Sequence, residues 1–423
     1  MNIRLKTLVT PIYQIALALI LISAAQVAYV TSEAFSFFLQ KGYAPEDVTV
    51  TIQNFGLGTA ATFFSAVLCL IALPRLPRLP VIALLPFLAF VGISTAWSSV
   101  PVESLSVLAK IVGYSIAICY LVSALPLERL MAPLVLVAIS VALASAYLVF
   151  VDPDFKDTLG VPGWRGAFAA KNTLGAFSMY MFILILPFSR LFSGRRAAVS
   201  RVVSLLLLAL AIASQSKTAT AIIVMYYVFS QLLLALDGRS GQQGRRRAIL
   251  WVAFILWVLV FTATMSVVGF GVSTGDVTFT GRTRVWDFFW QYFLSSPVLG
   301  IGGYSLGLDE SIAALGNRNV NMPTPDSSYI IMLANQGIIG ATLYLTGLGF
   351  LFASYYRTAT RYSYLGFCGL LAFVAHGTLE SGSQFSLSLG LMVVLFQATL
   401  SRKIAEQERL APESGDRPAY GNP

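Results

Sequence analysis

The sequence predicts an all-α membrane protein that crosses the bilayer about twelve times and carries a large outer loop with short helices. Three observations predict it. Of the 423 residues, 57% are hydrophobic and only 11% are charged, whereas an average soluble domain carries about 25% charged residues. Mainly apolar runs of about 20 residues, enough to span a bilayer as a helix, recur along the whole chain. Stretches such as Ser204–Ile212 and Ile249–Val260 are uninterrupted, whereas the strands of a membrane barrel would alternate over about 10 residues.

The apolar runs place helices roughly at 8–30, 50–73, 79–97, 105–124, 130–151, 170–190, 202–215, 218–236, 249–271, 327–355, 363–379 and 384–400. Arg4 and Lys6 precede the first run in the manner of a signal peptide. The run continues to about Val30 without a clear cleavage site, so it reads as a retained helix. Residues 1–403 then form one transmembrane unit, with 272–326 as its large outer loop. Aromatic and apolar stretches in that loop (Val285–Phe293, Tyr304–Leu308) predict short helices rather than disorder. The polar segment 404–423, with Pro412, Pro418 and Pro423, reads as a disordered tail.

Charge sets the orientation. With the N-terminus inside, nineteen of the 28 Lys and Arg residues fall on inner segments, among them Arg75, Arg78, Arg195, Arg196, Arg245, Arg246, Arg247 and Lys403. The outer segments hold Lys41, Lys156, Arg165, Lys171, Lys217, Arg282, Arg284 and Arg318, and Lys110 lies within a span. Only this orientation satisfies the positive-inside rule, so both termini are expected in the cytoplasm. The net charge of +9 is therefore mostly a topology signal and gives little reason to expect nucleic acid. Cys69, Cys119 and Cys368 all lie in apolar runs and His376 is the single histidine, so a disulfide framework or a His/Cys metal site is not expected.

Outer cations are few, and each needs pairing or hydration near a membrane. Four patterns stand out. Trp164-Arg165-Gly166-Ala167-Phe168 with Lys171-Asn172 lies where an outer loop enters a helix. Lys171 and the helix N-terminus suit a phosphate there; interfacial anchoring by Trp and Arg is the plainer alternative. Ser214-Gln215-Ser216-Lys217-Thr218 is a polar knot between two apolar runs, read either as a site or as a tight turn. Gly281-Arg282-Thr283-Arg284 precedes Val285-Trp286-Asp287 and offers two guanidinium forks for phosphate oxygens, or an Arg284–Asp287 pair. Pro325-Asp326-Ser327-Ser328-Tyr329 stands before the tenth helix, where Asp326 would cap the helix, aim a carboxylate into the outer cavity, or both. His376 reads as a hydrogen-bonded structural residue. Glu380, at the same helix end, is expected to pair with an outer cation, and Lys110 needs a partner or an aqueous cavity.

These patterns resemble the O-antigen ligase and Wzy-type polysaccharide polymerase superfamily. The likeness rests on Arg165–Asn172, Ser214–Thr218, Gly281–Trp286, Ser296–Gly302, Asp326–Ile330, Ala334–Gly340 and the turn Ala96–Pro101. It covers about 95–400. Each motif is short, and their order and placement give the likeness its specificity. It implies a metal-independent glycosyltransferase of the bacterial inner membrane without a cofactor. The donor would be a glycan on undecaprenyl diphosphate. Arg282 would bind the diphosphate with Arg284 in support, while Lys171, Lys217 and Arg165 add positive potential. Asp326 would be the acceptor base, and Tyr329 and Trp286 would contact sugar or lipid.

The ligases typically carry His-Asn where this chain has Asp326-Ser327, and Arg where it has Lys217. Polymerisation of exopolysaccharide or O-antigen repeat units is therefore the expected function, with transfer to lipid A core as the alternative. Chain-length regulator and export proteins are the expected partners, besides the lipid-linked oligosaccharide and the bilayer. A flippase would hold its charges at the bilayer midplane in paired halves, and a structural subunit of a secretion complex ranks below it.

Overall fold

The computed structural model describes residues 3–25, 57–151, 157–158, 161–168, 170–237, 247–252, 254–255, 282–320, 327–358, 360–380 and 383–410. Most of the predicted ninth span, Asp326 and the tail beyond 410 lie outside the described residues. The architecture is helical: α1 (Ile3–Ala24), α2 (Leu57–Ala72), α3 (Leu85–Ser94), α4 (Pro101–Ala124), α5 (Leu127–Val151), α6 (Lys171–Ile185), α7 (Gly194–Ala213), α8 (Lys217–Asp237), α9 (Arg282–Ser295), α10 (Glu310–Val320), α11 (Ser328–Thr358), α12 (Arg361–Leu379) and α13 (Ser383–Leu410). One small hairpin pairs Asp157–Thr158 with Val161–Pro162.

Eight helical segments among the described residues are long and apolar enough to cross a membrane. The 24 residues of α4, at 1.5 Å each, give about 36 Å, more than the ~30 Å hydrocarbon core. Large apolar side chains such as Phe63, Leu70, Leu143, Leu205 and Phe350 are exposed on the bundle's exterior, as lipid contact requires. The predicted first, eleventh and twelfth spans are helical but not among the eight. α12 and α13 carry His376, Gln397, Thr399 and Ser401, all buried inside the protein. A helix surrounded by protein need not be continuously apolar.

Prolines punctuate the early helices. Pro80, Pro86 and Pro101 sit in the first turns of a 3₁₀ segment, of α3 and of α4, where the missing N–H costs little. The predicted span 79–97 is therefore a 3₁₀ turn, a ten-residue α-helix and a second 3₁₀ turn. Two boundaries differ most from the sequence expectation. α7 begins at Gly194 rather than at 202, taking Arg195, Arg196 and Arg201 into the helix. α13 runs on to Leu410, so residues 404–410 are helical rather than disordered. Just past Lys403, Ile404 and Ala405 are buried, while the last turn, Glu406–Leu410, is exposed.

Successive helices reverse direction, which gives the bundle two distinct ends. At one end Lys403 Nζ donates to the carbonyls of Val122 (2.9 Å) and Ser123 (3.3 Å), at the terminus of α4. Arg402 there donates to Ser354 Oγ (2.9 Å) and Arg78 O (3.2 Å). The opposite end gathers the starts of α4, α6, α8, α11 and α13, and with them most of the sequence-predicted site.

A main-chain clip organises that second end. α11 breaks at Gly337 (φ 61, ψ −165), a region of backbone space that essentially only glycine occupies. In an unbroken helix Ile338 and Ile339 would donate to the carbonyls of Ala334 and Asn335. Instead Ile301 and Gly302 donate to those carbonyls at 2.9 and 2.8 Å, while Ile338 and Ile339 donate to Pro297 and Val298 at 2.9 and 3.3 Å. These four helix groups thus stay paired across the break. Asn335 Oδ1 accepts from Leu306 N–H at 2.7 Å, and Gln336 Nε2 donates to Gly303 O. On the clip's other face Trp97 Nε1 donates to Gly300 O (3.2 Å), and Ser98 and Ser305 share a hydroxyl hydrogen bond (2.8 Å). Three of the short motifs read in the sequence, 96–101, 296–302 and 334–340, are therefore one structural joint.

The predicted short helices of the large loop are present. α9 buries Val285 and Phe289 against Leu306, Ile331 and Ala334. α10 is amphipathic and is capped by the preceding Asp309, whose Oδ1 accepts from Ser311 N–H at 2.9 Å. Hydrogen bonds from the Ser311 and Ser99 hydroxyls hold the Asp309 carboxyl below its usual range. A depressed carboxyl stabilises the fold above its unfolded pKa, and that stability is lost as pH falls through the folded value. Asp309→Ala is expected to cost α10 about 1 kcal/mol as a lost cap. Hydrogen exchange over 311–318 should rise in the variant at neutral pH. In the parent it should rise only when the pH drops below the ordinary aspartate range.

Candidate active site

At the clip end, one buried carboxylate ties three helix starts together. Glu380 follows α12 and is 6% exposed. Its Oε2 accepts from Asn172 Nδ2 (3.2 Å) and its Oε1 from Thr218 Oγ1 (3.1 Å). Its backbone carbonyl accepts from Ser328 Oγ (3.3 Å), and its N–H caps α12 through His376 O (2.9 Å). Asn172, Thr218 and Ser328 are the second, second and first residues of α6, α8 and α11. Three helix N-termini therefore meet here, each worth roughly half a positive charge. Lys171 and Lys217 are the first residues of α6 and α8, and Ala170 offers no side-chain cap to α6.

Local chemistry explains the placement. In the knot 214–218, Ser214 Oγ donates to Ala211 O (2.7 Å), Gln215 adopts a left-handed conformation (φ 52), and the Ser216 hydroxyl accepts from Ala219 N–H (3.4 Å). The turn reading holds for those three residues, and it delivers Lys217 to the surface and Thr218 to Glu380. The first pattern packs directly on it, with Trp164 N–H donating to Ala213 O at 2.9 Å. Arg165 is 1% exposed. An interfacial anchor would have left it on the surface, so that reading is corrected.

A cleft opens beside this rim. Leu84, Phe87, Tyr180, Tyr304, Tyr344 and Phe373 make its walls mostly apolar and aromatic, with Ser328 and His376 also in its lining. His376 Nδ1 shares a hydrogen bond with Tyr180 OH (3.2 Å), the structural role that a lone buried histidine suggests. Tyr329 lines the cleft, but its hydroxyl donates to Val374 O (3.2 Å). An apolar cleft beside a cationic rim of helix N-termini suits an amphiphile with an anionic head.

The remaining sequence candidates are placed as follows. Arg282 and Arg284 are in the first turn of α9, and their side chains lie outside the described residues. Trp286 is half-buried in the same helix. Asp326 also lies outside the described residues; α11 begins two positions after it, at Ser328. Lys110 is exposed on the flank of α4 and is not part of the cleft's lining. Sequence reasoning missed the clustering of Asn172, Thr218 and Ser328 on Glu380. The signal was a polar residue in the first turn of each of three helices.

A search of curated proteins returned no match. Residues 202–345 match the family model Wzy_C, described as O-antigen ligase. The match takes in α7 to α10, the clip and the first part of α11, and with them Lys217, Arg282, Arg284, Asp326 and Tyr329. The membrane-length apolar helices and the clip that joins three short motifs agree with this match, and together they support membership of the O-antigen ligase/Wzy superfamily.

Proposed function

We propose that the protein polymerises repeat units carried on undecaprenyl diphosphate into an exopolysaccharide or O-antigen at the outer face of the bacterial inner membrane. The observation that supports this reading best is the convergence of Lys171, Lys217 and three helix N-termini beside an apolar cleft, in a chain whose residues 202–345 match the O-antigen ligase family model. The arginine-rich end would face the cytoplasm and the cleft end the periplasm, following the positive-inside rule.

In the proposed reaction an acceptor sugar hydroxyl attacks the donor's anomeric carbon. Its proton passes to Asp326 as a new glycosidic bond forms. The bond from that carbon to the diphosphate oxygen breaks, and undecaprenyl diphosphate leaves with the electron pair. Arg282, with Arg284, stabilises the charge that builds on the leaving group. Lys171 and Lys217 add to the field, and buried Arg165 supports it from within the bundle. No metal or cofactor is needed for this exchange. Trp286 and Tyr329 contact sugar or lipid. Transfer to lipid A core is the second reading, favoured by the description of the matched family.

One assay separates the readings. Purified protein in liposomes receives lipid-linked repeat units and no nucleotide sugar. A ladder of longer glycans on the same lipid is expected. Modified lipid A core without a ladder would make the protein a ligase, and movement of the lipid between leaflets without new bonds would make it a flippase.

A further inference from the structure

We propose that Glu380 is the positioning residue of this site. Its carboxylate holds the first turns of α6 and α8 in register, so that Lys171 and Lys217 act on the same diphosphate. The inference rests on the proposed transfer from a polyprenyl diphosphate donor. It goes further, because Glu380 lies outside the matched region 202–345 and opposes the site's charge.

A buried carboxylate beside two lysines weakens the attraction for an anion. Charge alone makes Glu380 a handicap in a site that binds diphosphate, unless it does something else there. The geometry names that role. Asn172 and Thr218 immediately follow Lys171 and Lys217, and both donate to the one carboxylate, one to each oxygen. The main chain of the same residue receives Ser328, the first residue of α11. Gly377, three residues earlier, packs near Ser328 and Tyr329. Glu380 is thus the point at which α6, α8, α11 and α12 are fixed relative to one another at the rim of the cleft.

The two roles predict opposite signs. If Glu380 acted only through its charge, Glu380→Ala would lower the KM for lipid-linked donor. As a positioning residue, its loss separates the two lysine-bearing turns, and KM should rise about tenfold or more, the scale of a lost hydrogen bond to a charged group. kcat, set by Arg282 and Asp326, should change less. Glu380→Gln should stay within about threefold of the parent, because the Asn172 amide can turn over and accept from the new amide. Asn172→Asp sets two carboxylates face to face and should raise KM, whereas Asn172→Asp with Glu380→Gln restores a complete bridge with its polarity reversed.

The test is donor KM and kcat for these four variants in liposomes, with thermal midpoints in detergent and binding of undecaprenyl diphosphate itself measured alongside. A KM rise in Glu380→Ala together with rescue in the double variant supports the proposal. A KM fall in Glu380→Ala overturns it, as does a double variant that regains thermal stability but neither donor KM nor undecaprenyl diphosphate binding. If the parent makes no glycosidic bond and binds no undecaprenyl diphosphate, the functional reading fails instead; the thermal midpoints still report whether the bridge exists.

Discussion

Alanine in place of Arg282 or of Asp326 is expected to lower the rate of glycan transfer by about a thousandfold, with the protein still folded in the membrane. Removing one preorganised charge from a developing anion costs about 10²–10³ in rate, and loss of a general base about 10²–10⁴. Folding should survive because each segment has other anchors. α9 is held by Val285 and Phe289 against Leu306, Ile331 and Ala334, and the start of α11 is held by Ser328 on Glu380. Arg282→Lys should fall between parent and alanine, since an ammonium keeps the charge but loses the bidentate fork. The initial rate of ladder formation in liposomes, at matched protein, checks all three. Full activity in Asp326→Ala would leave that residue no role as base and would return it to the helix start alone.

The sequence was most informative where the physics is local. Apolar length and charge asymmetry located the helices, and their alternation put Lys171, Lys217 and Ser328 at the same end of the bundle without any tertiary information. Polar residues at the first turns of α6, α8 and α11 were visible as motifs for the same reason. What brings those motifs together is tertiary. The Asn172–Glu380 hydrogen bond joins residues 208 positions apart, and the Thr218–Glu380 bond joins residues 162 apart. No periodicity in the chain encodes such a pairing. The sequence suggested a cation for Glu380, yet its carboxylate also takes two neutral donors. Arg165 shows the converse limit: a cation beside a tryptophan reads as an interfacial anchor, and only packing reveals it to be enclosed. The extent of α13 was misjudged because an exposed polar last turn continues a helix that is buried up to Ala405.

The clip supplies the prediction with the largest effect on folding. Gly337→Ala is expected to destabilise the protein by about 3 kcal/mol or more, while Gly349→Ala in the same helix should be neutral or stabilising by up to about 1 kcal/mol. At Gly349 an added Cβ meets nothing within 4 Å. At Gly337 it would lie 2.4 Å from Val298 O, on a backbone with φ 61. The variant must either strain that conformation or resume a regular helix. A regular helix returns Ile338 and Ile339 to the carbonyls of Ala334 and Asn335, and so displaces Ile301 and Gly302 from them. Four main-chain hydrogen bonds of the clip would go together. Gly300 offers no relief, because its own Cβ position is 2.3 Å from the Asn335 carbonyl. Thermal midpoints by fluorescence-detected size exclusion would compare the two glycines in one background, and equal midpoints would refute the clip. Since the clip leads from α9 to Leu306, against which α9 packs, loss of transfer activity should precede loss of the folded peak as Gly337→Ala is warmed. Arg282 would lose its place before the bundle comes apart.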